Sequence, residues 1–249
     1  MSETMNILVT GASGDLGKAT AHRLGRLGMN LGLQYRRDGN VVRELVKEIP
    51  TEAKGYRMQL DNEKNCHRLV DRFVEDFGGV DCLVQLHGDV HRVEHWSKLH
   101  EEDWLKDLKV NLVAPFFLAQ RTVEHMKQRG TSGVVVMVST ASAAYSGGAD
   151  SLAYGAAKCG VELVAKRLAR DCASSGIRVN VLAPGYINTQ FHGKTMKRSA
   201  KDRKARAKSV PLGKAGEPDD IAKYVEFLVS GGSNFVTGQV FEISGGDWL

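Results

Sequence analysis

The chain lacks the marks of several protein classes. Its four cysteines, Cys66, Cys82, Cys159 and Cys172, form no C-x-x-C pair among 249 residues. That argues against a disulfide scaffold or a cysteine zinc site and predicts reduced, buried thiols. No apolar run approaches the ~20 residues of a membrane helix. Residues 1–6 carry Glu3 and no apolar core, so no signal peptide is expected. These absences predict a cytoplasmic protein with no membrane attachment. Aromatics are only 7% and are not interleaved with basic residues. The net charge of +5 therefore does not describe a nucleic-acid surface. No Pro-, Gly- or Ser-rich linker and no internal repeat divides the chain. It reads as one domain, residues 1–249, large enough to bury a core without staples.

What is present is an alternation of strand and helix patterns. Strands are expected at Ile7–Val9, Asn30–Tyr35, Tyr56–Leu60, Val80–Leu86, Val134–Val138, Ile177–Leu182 and Val236–Ile243. Helical spacing fills Lys18–Leu27, Val41–Ile49, Asn65–Phe77, Glu101–Gln128, Ser151–Ser174 and Asp219–Val229. This order implies an α/β fold: a Rossmann-like, doubly wound parallel sheet of about seven strands with helices on both faces.

Thr10-Gly11-Ala12-Ser13-Gly14-Asp15-Leu16-Gly17 follows the first strand and opens the first helix. Glycines let a backbone approach a pyrophosphate closely, and a helix N-terminus offers it unpaired N–H groups. The second strand ends in Gln34-Tyr35-Arg36-Arg37, with no carboxylate before Asp38. A carboxylate there would suit a free ribose 2′-hydroxyl, whereas arginines attract a 2′-phosphate. NADP(H) is therefore favoured over NAD(H).

Tyr154 and Lys158 lie four residues apart on a helical pattern and share one face. A free phenol is only about 0.1% ionised at pH 7. A fixed ammonium nearby, together with a positive nicotinamide, would favour the ionised form. Tyr154 would then exchange a proton with a carbonyl or alcohol oxygen.

With these residues in place, the chain resembles the short-chain dehydrogenase/reductase family over essentially its whole length. The resemblance rests on the Thr10–Gly17 turn, Asp61, Gly88, Asn111, Tyr154 and Lys158. It extends to Asn180–Thr189, Val210-Pro211-Leu212-Gly213 and the ending Gly238–Gly246. It implies that Tyr154 is the acid/base and that Lys158 holds the nicotinamide ribose and lowers the Tyr154 pKa. Asn111 would anchor a proton-relay water, and Asp61 would meet the adenine. Gly11, Ser13, Asp15, Leu16 and Gly17 would line the phosphates. Pro184, Gly185, Ile187 and Thr189 would shape the carboxamide site.

Three departures stand out. Asp15 replaces the usual middle glycine and can cap the helix. Gln85-Leu86-His87-Gly88 replaces Asn-Asn-Ala-Gly, placing His87 near the cofactor. The family's carbonyl-binding serine falls at Ala141, so Thr140 or Ser142, beside Ser139, is the expected hydroxyl donor.

His87, His91, His95 and His100 imitate a metal series, but the stretch reads as loop and no metal is expected. Lys194–Lys208 holds eight basic residues against one acid, Asp202. The resemblance makes residues of about 190–212 a flexible substrate lid. Its charge suits an anionic carrier such as coenzyme A or acyl carrier protein, with Arg129 as a candidate contributor. The overall pattern is most similar to β-ketoacyl-acyl carrier protein reductases. The leading expectation is reduction of a ketone, foremost a 3-oxoacyl thioester. The alternatives are a dehydrogenase of a sugar, steroid or other secondary alcohol, and a non-catalytic NADP(H)-binding sensor or scaffold. Relatives assemble as dimers of dimers, so a homotetramer using Phe116-Phe117-Leu118 and Trp248-Leu249 is expected.

Overall fold

The computed structural model describes residues 4–145, 148 and 150–247. The strands are β1 (Asn6–Thr10), β2 (Asn30–Tyr35), β3 (Ala53–Arg57), β4 (Cys82–Gln85), β5 (Gly133–Val138), β6 (Ile177–Pro184) and β7 (Val240–Ile243). They form one parallel sheet in the order β3-β2-β1-β4-β5-β6-β7. The helices are α1 (Asp15–Arg26), α2 (Gly39–Glu48), α3 (Glu63–Phe77), α4 (Glu101–Leu108), α5 (Ala114–Arg129), α6 (Leu152–Cys172), α7 (Ala200–Ser209) and α8 (Pro218–Val229).

Successive strand residues point to opposite faces, so both faces need apolar cover. Leu8, Leu83, Val135 and Met137 pack under α3, α5 and α6. Ile7, Val9, Val84 and Val136 pack under α1, α2 and α8. The chain leaves β1 toward β2 and β3, then returns to place β4 on the other side of β1. That reversal opens a crevice at the carboxyl ends of β1 and β4, where open α/β sheets bind ligands.

Several expectations shift. The third strand forms at Ala53–Arg57, earlier than Tyr56–Leu60, because it pairs in register with Leu31–Tyr35 of β2. The last strand starts at Val240 rather than Val236, since the Val236 carbonyl is taken by the Asn180 side chain at 2.9 Å. Glu101–Gln128 is continuous but contains a π-turn at Lys109–Val113. Cys66, Cys82 and Cys172 are buried, but Cys159 of α6 is exposed and donates to the Ala143 carbonyl. Leu118 is fully buried in the chain's own core and is not free for an interface. Trp248 and Leu249 lie outside the described residues. Among the described residues no helix is long and apolar enough to cross a membrane.

Candidate active site

The glycine turn is a close-packed cradle. Gly11 has φ 70°, and a Cβ there would lie 2.7 Å from the His87 nitrogen. A Cβ on Gly17 would overlap the Gly11 carbonyl. The buried Gln34 fixes the turn from β2: its Oε1 accepts from the Gly11 N–H at 2.9 Å, and its Nε2 donates to the Met58 carbonyl at 2.6 Å. Helix α1 starts behind this turn with Gly14 as N-cap. Its first N–H groups therefore face the crevice without intrahelical partners, beside Ser13 and Leu16. Asp15 does not cap the helix. Its carboxylate instead binds Lys18 at 2.8 Å and accepts the Gln190 N–H at 2.7 Å.

Around the crevice lie the other expected groups. Arg36 and Arg37 emerge exposed from β2, and Arg36 pairs with Asp89 at 2.8 Å. Asp61, beyond β3, accepts from Gln59, Asn62 and Asn65 side chains. Pro184 ends β6, and the alpha carbon of Gly185 is packed against Ser244. Ile187 is buried and bridges to Gly216. Thr189 lines a cleft of about 430 Å³ with Asp15, Lys18, Gln190 and Arg203.

Helix α6 delivers Tyr154 and Lys158. The Lys158 Nζ is 5.7 Å from the Tyr154 ring centroid and donates to the Val138 carbonyl at 2.8 Å. A Cβ added at Gly88 would lie 3.1 Å from Asn111 Oδ1 and 3.6 Å from Lys158 Nζ. Gly88, Asn111, Lys158 and Tyr154 therefore converge at the carboxyl ends of β4 and β5. Asn111 sits in the π-turn, which widens the helix locally. Its side-chain amide is committed to backbone: Nδ2 donates to the Asp89 and Asp107 carbonyls at 2.7 and 3.0 Å, and Oδ1 accepts from Asp89 N–H at 3.2 Å.

A family model described as enoyl-(acyl carrier protein) reductase matches residues 11–247. The chain is 34% identical over 246 residues to 3β-hydroxysteroid dehydrogenase 1 of Eggerthella lenta, covering 96% of this chain and 92% of that protein. It is 33% identical over 247 residues to the 3-oxoacyl-[acyl-carrier-protein] reductase FabG of Thermotoga maritima, covering 96% of each. Its fold matches that of a variant of the actinorhodin polyketide ketoreductase solved with NADPH. That match has a TM-score of 0.88 and 27% identity, covering 100% of this chain and 99% of the other.

The chain belongs to the short-chain dehydrogenase/reductase family. It is an oxidoreductase of the kind that interconverts secondary alcohols and ketones with a nicotinamide cofactor. The glycine cradle and the unpaired N–H groups at the start of α1 fit such a dinucleotide.

The chemistry of this dehydrogenase/reductase site is shaped by burial. Burial pushes the Lys158 ammonium down to about 8, because a charge is costly there. Burial also pushes the Tyr154 phenol above its ordinary range, and the Asp107 carboxylate pushes it further. The protein alone therefore holds Tyr154 protonated; the expected lowering combines Lys158 with the positive charge of a nicotinamide. The ammonium is engaged by the Val138 carbonyl, and burial of the phenol dominates.

The three hydroxyl candidates separate. Ser139 is buried and donates to Glu162 at 2.6 Å and to the Lys158 carbonyl at 3.2 Å, so it is spoken for. Ala141 is buried and has no hydroxyl. Thr140 and Ser142 are half-buried and share a hydrogen bond of 3.2 Å.

His87 lies under the cradle, with Nδ1 2.7 Å from Thr10 Oγ1. Burial and then the Lys158 charge push its pKa down to about 3, so it is neutral. Gln85 Nε2 donates to the Pro115 carbonyl at 2.9 Å, tying β4 to α5. The histidine series runs through loop: His95 bonds Ser97, and His91 lies 3.6 Å from Asp103. Among the described residues no cluster of three or more His, Cys, Asp or Glu side chains forms a metal site.

The sequence marks Gln190 and Phe191 only as part of the 190–212 lid and assigns no role to Asp89 or Asp107. Asp107 precedes Asn111 by one helical turn, so spacing could have pointed to it. The Phe191 ring, in a π-turn at Phe191–Thr195, lies 6.2 Å from the Tyr154 ring. In the basic segment, lysines 194, 197, 201, 204 and 208 are exposed, whereas Arg203 and Arg206 turn inward. Arg206 lies over the Tyr186 ring at 5.3 Å.

Proposed function

We propose that the protein is an NADP(H)-dependent reductase that converts a ketone, foremost a 3-oxoacyl thioester, to a secondary alcohol. The observation that carries this reading is the Tyr154–Lys158 pair, set against Gly88 beside the glycine cradle. When bound, the dinucleotide supplies a hydride to the carbonyl carbon. Tyr154 gives its phenolic proton to the carbonyl oxygen, so the carbonyl gains one C–H and one O–H bond. A phenol kept protonated suits this direction. Thr140 and Ser142 donate to the same oxygen as negative charge grows on it. Lys158 holds the nicotinamide ribose, and a water held at Asn111 returns the proton from solvent. Arg36 and Arg37 take the 2′-phosphate, Asp61 meets the adenine, and Ile187 and Thr189 orient the carboxamide.

The segment 190–212 acts as the substrate lid. Its exposed lysines present a cationic face to a coenzyme A or acyl carrier thioester. A second reading, a steroid or sugar alcohol dehydrogenase, is favoured by the steroid dehydrogenase relative and by the apolar Phe191 facing Tyr154.

A substrate panel separates the two. Acetoacetyl-coenzyme A should be turned over with NADPH, and K201E/K204E/K208E should raise KM for carrier-bound substrates alone. Turnover confined to 3-oxosteroids or sugars, with KM indifferent to those charges, would favour the second reading. We also place the protein in the cytoplasm as a homotetramer, with exposed Leu105 of α4 and Leu163 of α6 as apolar contacts. Light scattering would refute this with a monomer mass.

A further inference from the structure

Strands β2 and β4 flank β1 in the sheet. Arg36 follows β2 and Asp89 follows β4, and their side chains meet at 2.8 Å. The ion pair thus spans the carboxyl end of β1, above the Gly11 turn. That is the mouth of the crevice fitted to a dinucleotide.

The two partners are not equally free. Asp89 is fixed from three sides. Its Oδ1 accepts the Val90 N–H at 3.1 Å, its own N–H donates to Asn111 Oδ1 at 3.2 Å, and its carbonyl accepts from Asn111 Nδ2 at 2.7 Å. Among the described residues the Arg36 guanidinium has Asp89 as its one carboxylate partner, and it stands on a flexible stem at an exposed strand end.

A 2′-phosphate, with close to two negative charges, draws the same guanidinium that Asp89 holds. Arg36 can swing between them. Asp89 stays behind, and its carboxylate repels the phosphate. A 2′-hydroxyl is neutral and can donate a hydrogen bond to that carboxylate. Breaking a half-exposed ion pair costs little. The repulsion therefore decides the balance, and the hydroxyl contact acts in the same direction.

We propose that Asp89 is a cofactor-selecting residue: it restrains the preference for NADP(H) by setting a carboxylate against the 2′-phosphate and by offering that carboxylate to the 2′-hydroxyl of NAD(H). In effect the fourth strand supplies the acid that the second strand lacks. The inference rests on the proposed role of Arg36 toward the 2′-phosphate.

The test is equilibrium titration of NADPH and NADH by tryptophan-to-nicotinamide energy transfer. It compares the unaltered protein, Asp89→Asn and Arg36→Ala at low and high salt. Asparagine keeps the Val90 acceptor and the backbone contacts, so folding is preserved. Asp89→Asn should raise the NADPH-to-NADH affinity ratio roughly tenfold at low salt, and less at high salt. A ratio that stays constant, falls, or rises equally at both salt levels would overturn the proposal. Arg36→Ala should weaken NADPH roughly tenfold and leave NADH nearly unchanged. If Arg36→Ala leaves NADPH binding intact, the reading of Arg36 fails, whatever Asp89→Asn does. If Arg36→Ala behaves as expected and Asp89→Asn does not shift the ratio, the selector role alone fails.

Discussion

Gln190 donates its backbone N–H to Asp15 at 2.7 Å, joining the segment after β6 to the glycine turn after β1. Burial opposes ionisation of this carboxyl, but the bonds from Lys18 and Gln190 overcome it and hold its pKa below the ordinary 3.8. A carboxyl whose pKa is lowered by folding stabilises the folded state at pH above its ordinary pKa. That stabilisation is lost as pH falls through the lowered value. Asp15→Gly should therefore release the segment at neutral pH. Amide exchange at residues 190–196 should quicken, and dinucleotide affinity should rise severalfold as a carboxylate leaves the phosphate site. Unchanged exchange in that stretch would rule out the tether.

The hydroxyls beside β5 should divide by task. Ser139→Ala should cost about 1–2 kcal/mol in unfolding free energy, because Glu162 loses its donor, with kcat/KM nearly unchanged. The T140A/S142A double variant should lower kcat by about 10²-fold with little loss of stability. The opposite pattern would reassign the oxygen-binding role to Ser139.

Asp107 is the third test. Burial pushes its carboxyl up from 3.8 to about 6; Asp89 and Asp103 add to this, and His91 opposes it. A carboxyl raised by folding contributes stability that is full below pH 3.8 and lost as pH rises through about 6. Asp107→Asn keeps an acceptor for the His91 N–H and removes the buried charge. It should stabilise the fold by on the order of 2 kcal/mol at pH 7.5 and by almost nothing at pH 4. It should also move the Tyr154-dependent rise in alcohol oxidation to lower pH, since Asp107 pushes that phenol up. Equal stability of the two proteins across this range would count against a buried, titrating Asp107.

The fold was readable because its signals are local. Gly11 and Gly17 follow an apolar strand, Val134–Val138 is a β-branched run, and Tyr154 and Lys158 share a helical face. Edge strands were harder. Ala53-Lys54-Gly55 carries no β-branched residue, and its pairing comes from β2. The site was legible as a set of residue types, but its wiring was not. The Asp89–Arg36 and Asp15–Gln190 contacts join residues 53 and 175 positions apart. No local pattern encodes such pairs. The surroundings of Tyr154 are hidden for a related reason: spacing reveals a nearby ammonium but not the burial of the phenol or the ammonium's Val138 partner.

The most direct measurement is NADPH oxidation with acetoacetyl-coenzyme A by the intact protein and by Tyr154→Phe, with NADPH affinity recorded for both. Turnover that falls by at least about 10²-fold in the variant, with NADPH affinity unchanged, is the expected result. Turnover by Tyr154→Phe at a rate close to that of the intact protein would contradict the assignment of Tyr154 as the proton donor.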